Sequence, residues 1–207
     1  MIIAVDGTAA SGKGTIARRL AAHFHLPHLD TGLLYRAVGQ KMLDGGHDLD
    51  DRGQAISLAL NFAPAWLVDG RLRTDRAGIA ASRVAAIPEL RQALREFQQR
   101  FARQSGGAVL DGRDIGTIIA PDADVKIWVT ASPEVRAARR FLELSARTPE
   151  PRTPDFTQES VLADLLARDA RDAPNMIAAP DAHLLDTSAM DIEQSFRAAV
   201  SLVEAAK

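Results

Sequence analysis

Cysteine is absent from the 207 residues, which excludes disulfides and thiolate chemistry and fits a reducing compartment. Aromatic residues are scarce, and the one tyrosine, Tyr35, and both tryptophans read as core or pocket wall rather than as catalytic groups. Neither sign of charge dominates: the net charge is −2, so the surface as a whole attracts neither nucleic acid nor an anionic membrane, and a bulk polyanion partner is not expected. Long apolar runs are missing too. The opening "MIIAV" stops at Asp6, too short for a signal peptide or a span, and no later run reaches about 18 apolar residues. A cytoplasmic protein is expected. With 46% hydrophobic residues the chain can bury a real core, as one unit with small inserted flaps.

Short β-branched runs alternate with helical patterns. "IIAV" (2–5) precedes a helix over 17–24, "LPHLD" (26–30) one over 33–43, "VKIWVT" (125–130) one over 133–145, and "HLLDT" (183–187) one over 192–205; "AVLD" (108–111) supplies a further strand. Such alternation predicts an α/β fold with a mainly parallel sheet, and near-continuously apolar strands fit a sheet with helices on both faces. Two stretches break the rhythm. Residues 62–91 carry "PAWLVDGRLRTD", which reads as a short hairpin around Asp69-Gly70, then "RAGIAASRVAAI" with helical spacing before Pro88. Residues 146–156, "ARTPEPRTPDF", hold too much proline for a helix interior and read as a lid.

"GTAASGKGT" (Gly7–Thr15) lies between the first strand and the first helix, the context that a phosphate-binding loop requires. Glycines let successive N–H groups converge on phosphate oxygens, the helix N-terminus adds its positive end, and Lys13 reaches the β- and γ-phosphates. Gly14 stands where the strict motif has Ser or Thr, and Thr15 follows. That departure favours Mg²⁺ held largely by phosphates and water, with water-mediated links to Asp111 and Thr15.

"AVLDGRDIG" puts Asp111 at a strand tip, followed by Arg113 and Asp114. Beside a phosphate loop, the carboxylate is placed to orient metal-bound water and the guanidinium to neutralise a moving phosphoryl group. Without that loop, an Asp-Gly turn with a surface ion pair would explain the same residues. Arg36, Arg91, Arg168 and Arg171 sit on other segments, and planar forks on separate loops suit a substrate with several negative charges. Arg18, Arg19, Arg95, Arg100, Arg103 and one of Arg139 and Arg140 read as solvated helix faces. His23, His25 and His28 lack the i, i+4 spacing of a helical metal site and read as surface or packing groups.

Taken together, "GTAASGKGT", "DTGLLYR", "SRVAAIPELR", "LDGRDIGT", "PDADVKIWVTASPEVRAARR" and "RDARD" resemble the bacterial cytidylate kinases over nearly the whole chain. The resemblance implies a P-loop fold: a five-stranded parallel sheet wrapped by helices, with a small monophosphate-binding insert and a short lid. It implies one domain, with core segments 1–30, 106–145 and 172–207, an insert at about 31–105 and the lid at about 146–156. It also implies phosphoryl transfer from ATP to CMP or dCMP with Mg²⁺, by a monomer.

By motif, Thr8, Ala9, Ala10, Ser11, Gly12 and their loop neighbours, with Arg139, match ATP contacts. Thr31, Arg91 and Asp114 match cytosine contacts; Ser82, Arg168 and Asp172 match sugar contacts; Arg36 and Arg113 match contacts to the acceptor phosphate. The chemistry agrees, since the amino group of cytosine suits a carboxylate and its carbonyl and ring nitrogen suit a cation. Two departures stand out. Asn175 occupies the position where relatives usually carry arginine near the base, and only "AWLVDGRLRT" remains of the strand-rich part of the insert, whose sheet is expected to be reduced or absent.

This reading makes Lys13, Arg113 and Asp111 the catalytic set, acting by alignment and charge stabilisation, because a CMP phosphate oxygen is already ionised at neutral pH. The lid, with Arg147 and Arg152, would exclude water. The rivals are a kinase for another small acceptor (UMP, AMP or shikimate) and a non-catalytic P-loop regulatory module.

Overall fold

A computed structural model describes residues 1–147 and 156–206. The expected lid at 146–156, with the Arg147 side chain and Arg152, lies outside the described residues apart from its ends. Five strands, β1 (Ile2–Gly7), β2 (His28–Asp30), β3 (Ala108–Gly112), β4 (Val125–Thr130) and β5 (His183–Asp186), form one parallel sheet in the order β2-β3-β1-β4-β5. This is the P-loop-type α/β fold expected from the alternating pattern.

The two faces of β1 explain the layering. Ile3 and Val5 point into a core with α1 (Lys13–Phe24) and α8 (Ile192–Ala205), while Ala4 between them faces Leu34 and Val38 of α2 (Gly32–Asp44) and Leu90 and Leu94 of α5 (Pro88–Ala102). Side chains alternate along a strand, so one run of four apolar residues serves both layers. A smaller cluster joins α6 (Pro133–Arg147) to α7 (Gln158–Asp172) through Ala137, Val161 and Leu165, with Ala9 of the phosphate loop among them.

The hairpin expected around Asp69-Gly70 is not formed. Pro64–Val68 and Gly70–Arg73 are short 3₁₀ helices, and Asp69 caps the second by accepting from the Arg71 N–H at 2.9 Å. Val68 is exposed and no partner strand lies nearby among the described residues, so the alternation had no surface to bury and turn chemistry prevailed. The insert is therefore helical: α2, α3 (Arg52–Leu60), α4 (Asp75–Val84) and α5, with Asp51 and Thr74 capping α3 and α4 and Pro88 opening α5. Among the described residues no helix is long and apolar enough to cross a membrane.

Candidate active site

All the strands point their carboxyl ends to one edge, where an open α/β sheet collects ligands. The phosphate loop leaves β1 there. A Cβ on Gly7 would lie 1.9 Å from the Val129 carbonyl oxygen, so only glycine lets the loop cross β4 so closely. Ala10 and Gly12 take positive φ (59° and 90°), and α1 begins at Lys13.

The loop's carbonyls are held by side chains, three of them from outside the loop. Arg113 Nη1 donates to Gly7 O at 3.0 Å, Ser11 Oγ to Thr8 O at 3.0 Å, Arg136 Nη1 to Ala9 O at 3.2 Å, and Thr187 Oγ1 to Ser11 O at 3.0 Å. Each peptide's N–H opposes its C=O, so the N–H groups turn to the concave side, beside the positive end of α1. Lys13 Nζ rests 3.4 Å from Thr8 O. Burial, and then the neighbouring Arg113, push the Lys13 amine down to about 7.

Asp111, only 4% exposed, ends β3 beside this loop, and a Cβ on Gly14 would come 3.5 Å from its Oδ2. Its Oδ1 lies 2.7 Å from His28 Nε2. His28 thus packs against Asp111, and His23 packs edge-on against Phe24 and Phe196, in keeping with the packing roles expected of them. The two-residue alternation of β2 carries His28 and Asp30 on one face, and Asp30 is the register partner of Asp111. Burial, then the Asp111 charge, raise the Asp30 carboxyl above its ordinary range. No trio of metal-ligating side chains exists among the described residues. The Asp111 carboxylate beside the phosphate loop has the chemistry to fit a divalent cation held mainly by phosphates and water.

A second group of side chains at this edge draws on many elements. Thr31 Oγ1 donates to Asp111 O at 2.8 Å, which leaves its oxygen lone pair to accept. Arg91 of α5 pairs with Asp114 and lies over the Tyr35 ring at 5.5 Å. Arg113 Nε donates to Asp172 of α7 at 3.1 Å, and Arg168 stands 3.7 Å from the same carboxylate. Burial, then Arg113, lower the Arg168 guanidinium to about 10, so it stays charged at neutral pH. Arg36 Nη1 donates to Leu72 O and Thr74 O at 2.8 and 3.0 Å, anchored on the 3₁₀ segment that replaced the hairpin. Ser82 accepts from Arg171 Nε at 3.2 Å, and Asn175 lines a small cavity of about 20 Å³ with Ser82, Arg91, Arg113, Arg171 and Asp172.

Arg139, by contrast, is spent on the loop after β5, donating to Thr187 O at 2.7 Å and to Met190 O at 3.1 Å. It lines a cavity of about 880 Å³ with the phosphate loop and Ile192. Arg140 lines that cavity, a second of about 260 Å³ with Lys13, Asp30, Arg36, Asp111 and Arg113, and a third beside Ser82. The resemblance had placed Arg139 at the donor phosphates, and both arginines line the cavity beside the phosphate loop. Sequence reasoning missed the contact of His28 with Asp111 and also Arg136, whose helical position gave no signal.

Comparisons with known proteins agree with this geometry. The cytidylate kinase family model matches residues 3–205. Cytidylate kinases of Methylocella silvestris, Bradyrhizobium sp. and Afipia carboxidovorans are 56%, 52% and 53% identical across the whole chain, covering 95%, 97% and 99% of their own lengths. Two solved structures share the fold at 14% identity: an uncharacterized protein from Eubacterium ventriosum (TM-score 0.58, covering 99% of this chain and 98% of that one) and shikimate kinase from Bacteroides thetaiotaomicron (TM-score 0.51, covering 98% and 97%). With its phosphate loop, the Asp111–Arg113 strand tip and these full-length relatives, the chain belongs to the cytidylate kinase family.

Proposed function

We propose that the chain transfers the γ-phosphoryl group of ATP to the phosphate of CMP and dCMP, with residues 31–105 as the monophosphate-binding insert. The observation that carries this reading is the Arg91–Asp114 pair, a cation and a carboxylate side by side, with Arg91 on the wall of a small cavity that it shares with Arg113. Cytosine presents an acceptor edge and an amino donor, and it can replace each partner of the pair with its own complement. A base with the opposite pattern would leave both charges unmatched, where discrimination is greatest.

In this mechanism the phosphate loop binds the ATP phosphates, Arg139 holds the wall of the donor cavity, and Arg36 with Arg113 grips the acceptor phosphate. Ser82, Arg168 and Asp172 hold the sugar, Asn175 adds a neutral hydrogen-bonding edge near the base, and Thr31 accepts beside it. Lys13 and Arg113 neutralise charge on the moving phosphoryl group, and the attacking oxygen needs no strong base. Mg²⁺ bound with ATP would screen the phosphate charge, with Asp111 and Thr15 reaching its water shell. Aligning two anions at one sheet edge requires the cations gathered there. We place the enzyme in the cytoplasm as a monomer, with ATP and CMP or dCMP as its partners and no role for nucleic acid or membrane.

The test is ADP formation from ATP and Mg²⁺ with CMP, dCMP, UMP or AMP in turn, against a control without acceptor. Strong turnover with CMP and dCMP alone is expected. Equal turnover with UMP would overturn the base-pocket argument, and no stimulation by any monophosphate would overturn the kinase reading.

A further inference from the structure

Arg136 of α6 is 3% exposed and absent from the walls of the donor and acceptor cavities, yet it carries a full charge into the core. Its Nε donates to Ala131 O at 3.1 Å, and its Nη1 donates to Ala9 O at 3.2 Å and meets Asp169 Oδ2 of α7 at 2.7 Å. The other carboxylate oxygen, Asp169 Oδ1, is buried with no hydrogen-bond partner among the described residues. A buried ion pair is a poor choice for stability alone, since apolar residues of similar volume would serve as well or better. What an apolar pair cannot do is fix the direction of a carbonyl.

Ala9 O belongs to the peptide whose N–H is that of Ala10, the residue held at φ 59°. Anchoring the carbonyl on Arg136 turns this N–H the opposite way, to the side of the cavity that Ala9 and Ala10 line. The same helix α7 reaches the loop a second time, because Asp172 holds Arg113, which donates to Gly7 O. Two arginines thus join two carbonyls of the donor loop to two aspartates, three residues apart on one face of α7. Arg168, at the acceptor cavity, and Arg171, on Ser82, lie on the same helix.

We propose that Arg136 is a positioning residue that sets the anion-binding shape of the phosphate loop and, through Asp169, ties that loop to α7, so that the donor and acceptor sites are energetically coupled. The coupling half rests on the acceptor reading of the preceding subsection; the loop half does not. Phosphates that fill the loop fix Ala9 O and, with it, the guanidinium against which Asp169 sits. Helix α7 then presents Arg168 and Asp172 in the orientation that a monophosphate needs, and by linkage the monophosphate favours the loop to the same degree.

Arg136→Met would strand a buried carboxylate, so the informative variants are Arg136→Lys, which keeps the charge but loses the fork, and Asp169→Asn, which keeps the shape but loses the charge. Each folded variant, verified by thermal melting, is titrated with the non-transferable β,γ-imido analogue of ATP and with CMP, alone and in the presence of the other ligand. In the unaltered protein the analogue should tighten CMP by about fivefold or more. Arg136→Lys should weaken the analogue by about tenfold or more while moving the affinity for CMP alone by less than about threefold. Asp169→Asn should leave each separate affinity within about threefold but bring the coupling factor close to one.

Unchanged analogue affinity in Arg136→Lys would overturn the loop half. Undiminished coupling in Asp169→Asn, or no coupling in the unaltered protein, would overturn the other half. Failure of the unaltered protein to bind CMP at all would overturn the acceptor reading, and the coupling with it, while the analogue titration would still decide the role of Arg136 at the loop.

Discussion

The phosphate loop and the acceptor pocket meet at one edge of the sheet and are built in opposite ways. In the loop the binding groups belong to the main chain of consecutive residues, shaped by Gly7, Ala10 and Gly12 and held by bonds to their carbonyls. In the pocket they are side chains from α2, α4, α5, α7 and the end of β3, already paired with each other: Arg91 with Asp114, Arg113 with Asp172, Arg171 with Ser82. A main-chain cradle reads charge and shape and tolerates any polyphosphate tail. A pre-paired pocket reads a pattern, because a ligand must return to each group the bond it displaces. On the function proposed above, generality would sit on the donor side and selectivity on the acceptor side.

The sharpest way to break this contrast is to remove the loop's own cationic side chain. Lys13→Met should lower kcat on the order of 10²–10³-fold with CMP and UMP alike, because the lost charge faces the transferring group rather than the base. Steady-state rates with both acceptors check this, and a base-dependent loss would dissolve the division of labour. On the other side, Arg91→Met leaves Asp114 without its partner and should raise the KM for CMP roughly 10–100-fold, while the KM for ATP hardly moves. A comparable rise in both constants would mean that the pocket is not separate from the loop.

A third effect concerns protons. The Lys13 amine titrates near 7 in the free protein and ordinarily at 10.5, and bound phosphates restore the charged form. Between those values binding must take up a proton, so ATP affinity should fall as pH rises above 7, by about tenfold per unit at most. Calorimetry in buffers of different ionisation enthalpy reads the uptake directly, and CMP binding should show much less of it. The smallest expected effect is that of His28→Leu, which frees the Asp111 carboxylate from its 2.7 Å contact. A fall in kcat of about 3–10-fold, without a change in the KM for CMP, is expected from the loss of one such bond.

The same contrast accounts for what could be read in advance. Gly7–Thr15 announces itself because strand, turn and helix start are local events within a few residues. The central strands were legible from apolar runs, since both of their faces are covered. The hairpin at Asp69-Gly70 was misread because a two-residue alternation means a strand only where another strand lies alongside, and here two 3₁₀ turns hold Arg36 through Leu72 O and Thr74 O instead. Arg91 and Asp114 stood out for their charge, but their roles at the base, and that of Asp172 at the sugar, came from a family resemblance rather than from any local pattern. The contact of His28 with Asp111 escaped because nothing near it in sequence reveals that β2 lies beside β3, which brings the two together across 83 positions.

The sequence by itself determined the α/β alternation, the phosphate loop and the acidic tip of β3, because each depends on residues adjacent in the chain. Only the tertiary structure decided which arginines meet which carboxylates, that His28 holds Asp111, and that Arg136 joins the loop to α7 through Asp169. Those contacts depend on strand order and helix packing, and hydrophobic burial sets both for the molecule as a whole rather than for any one segment.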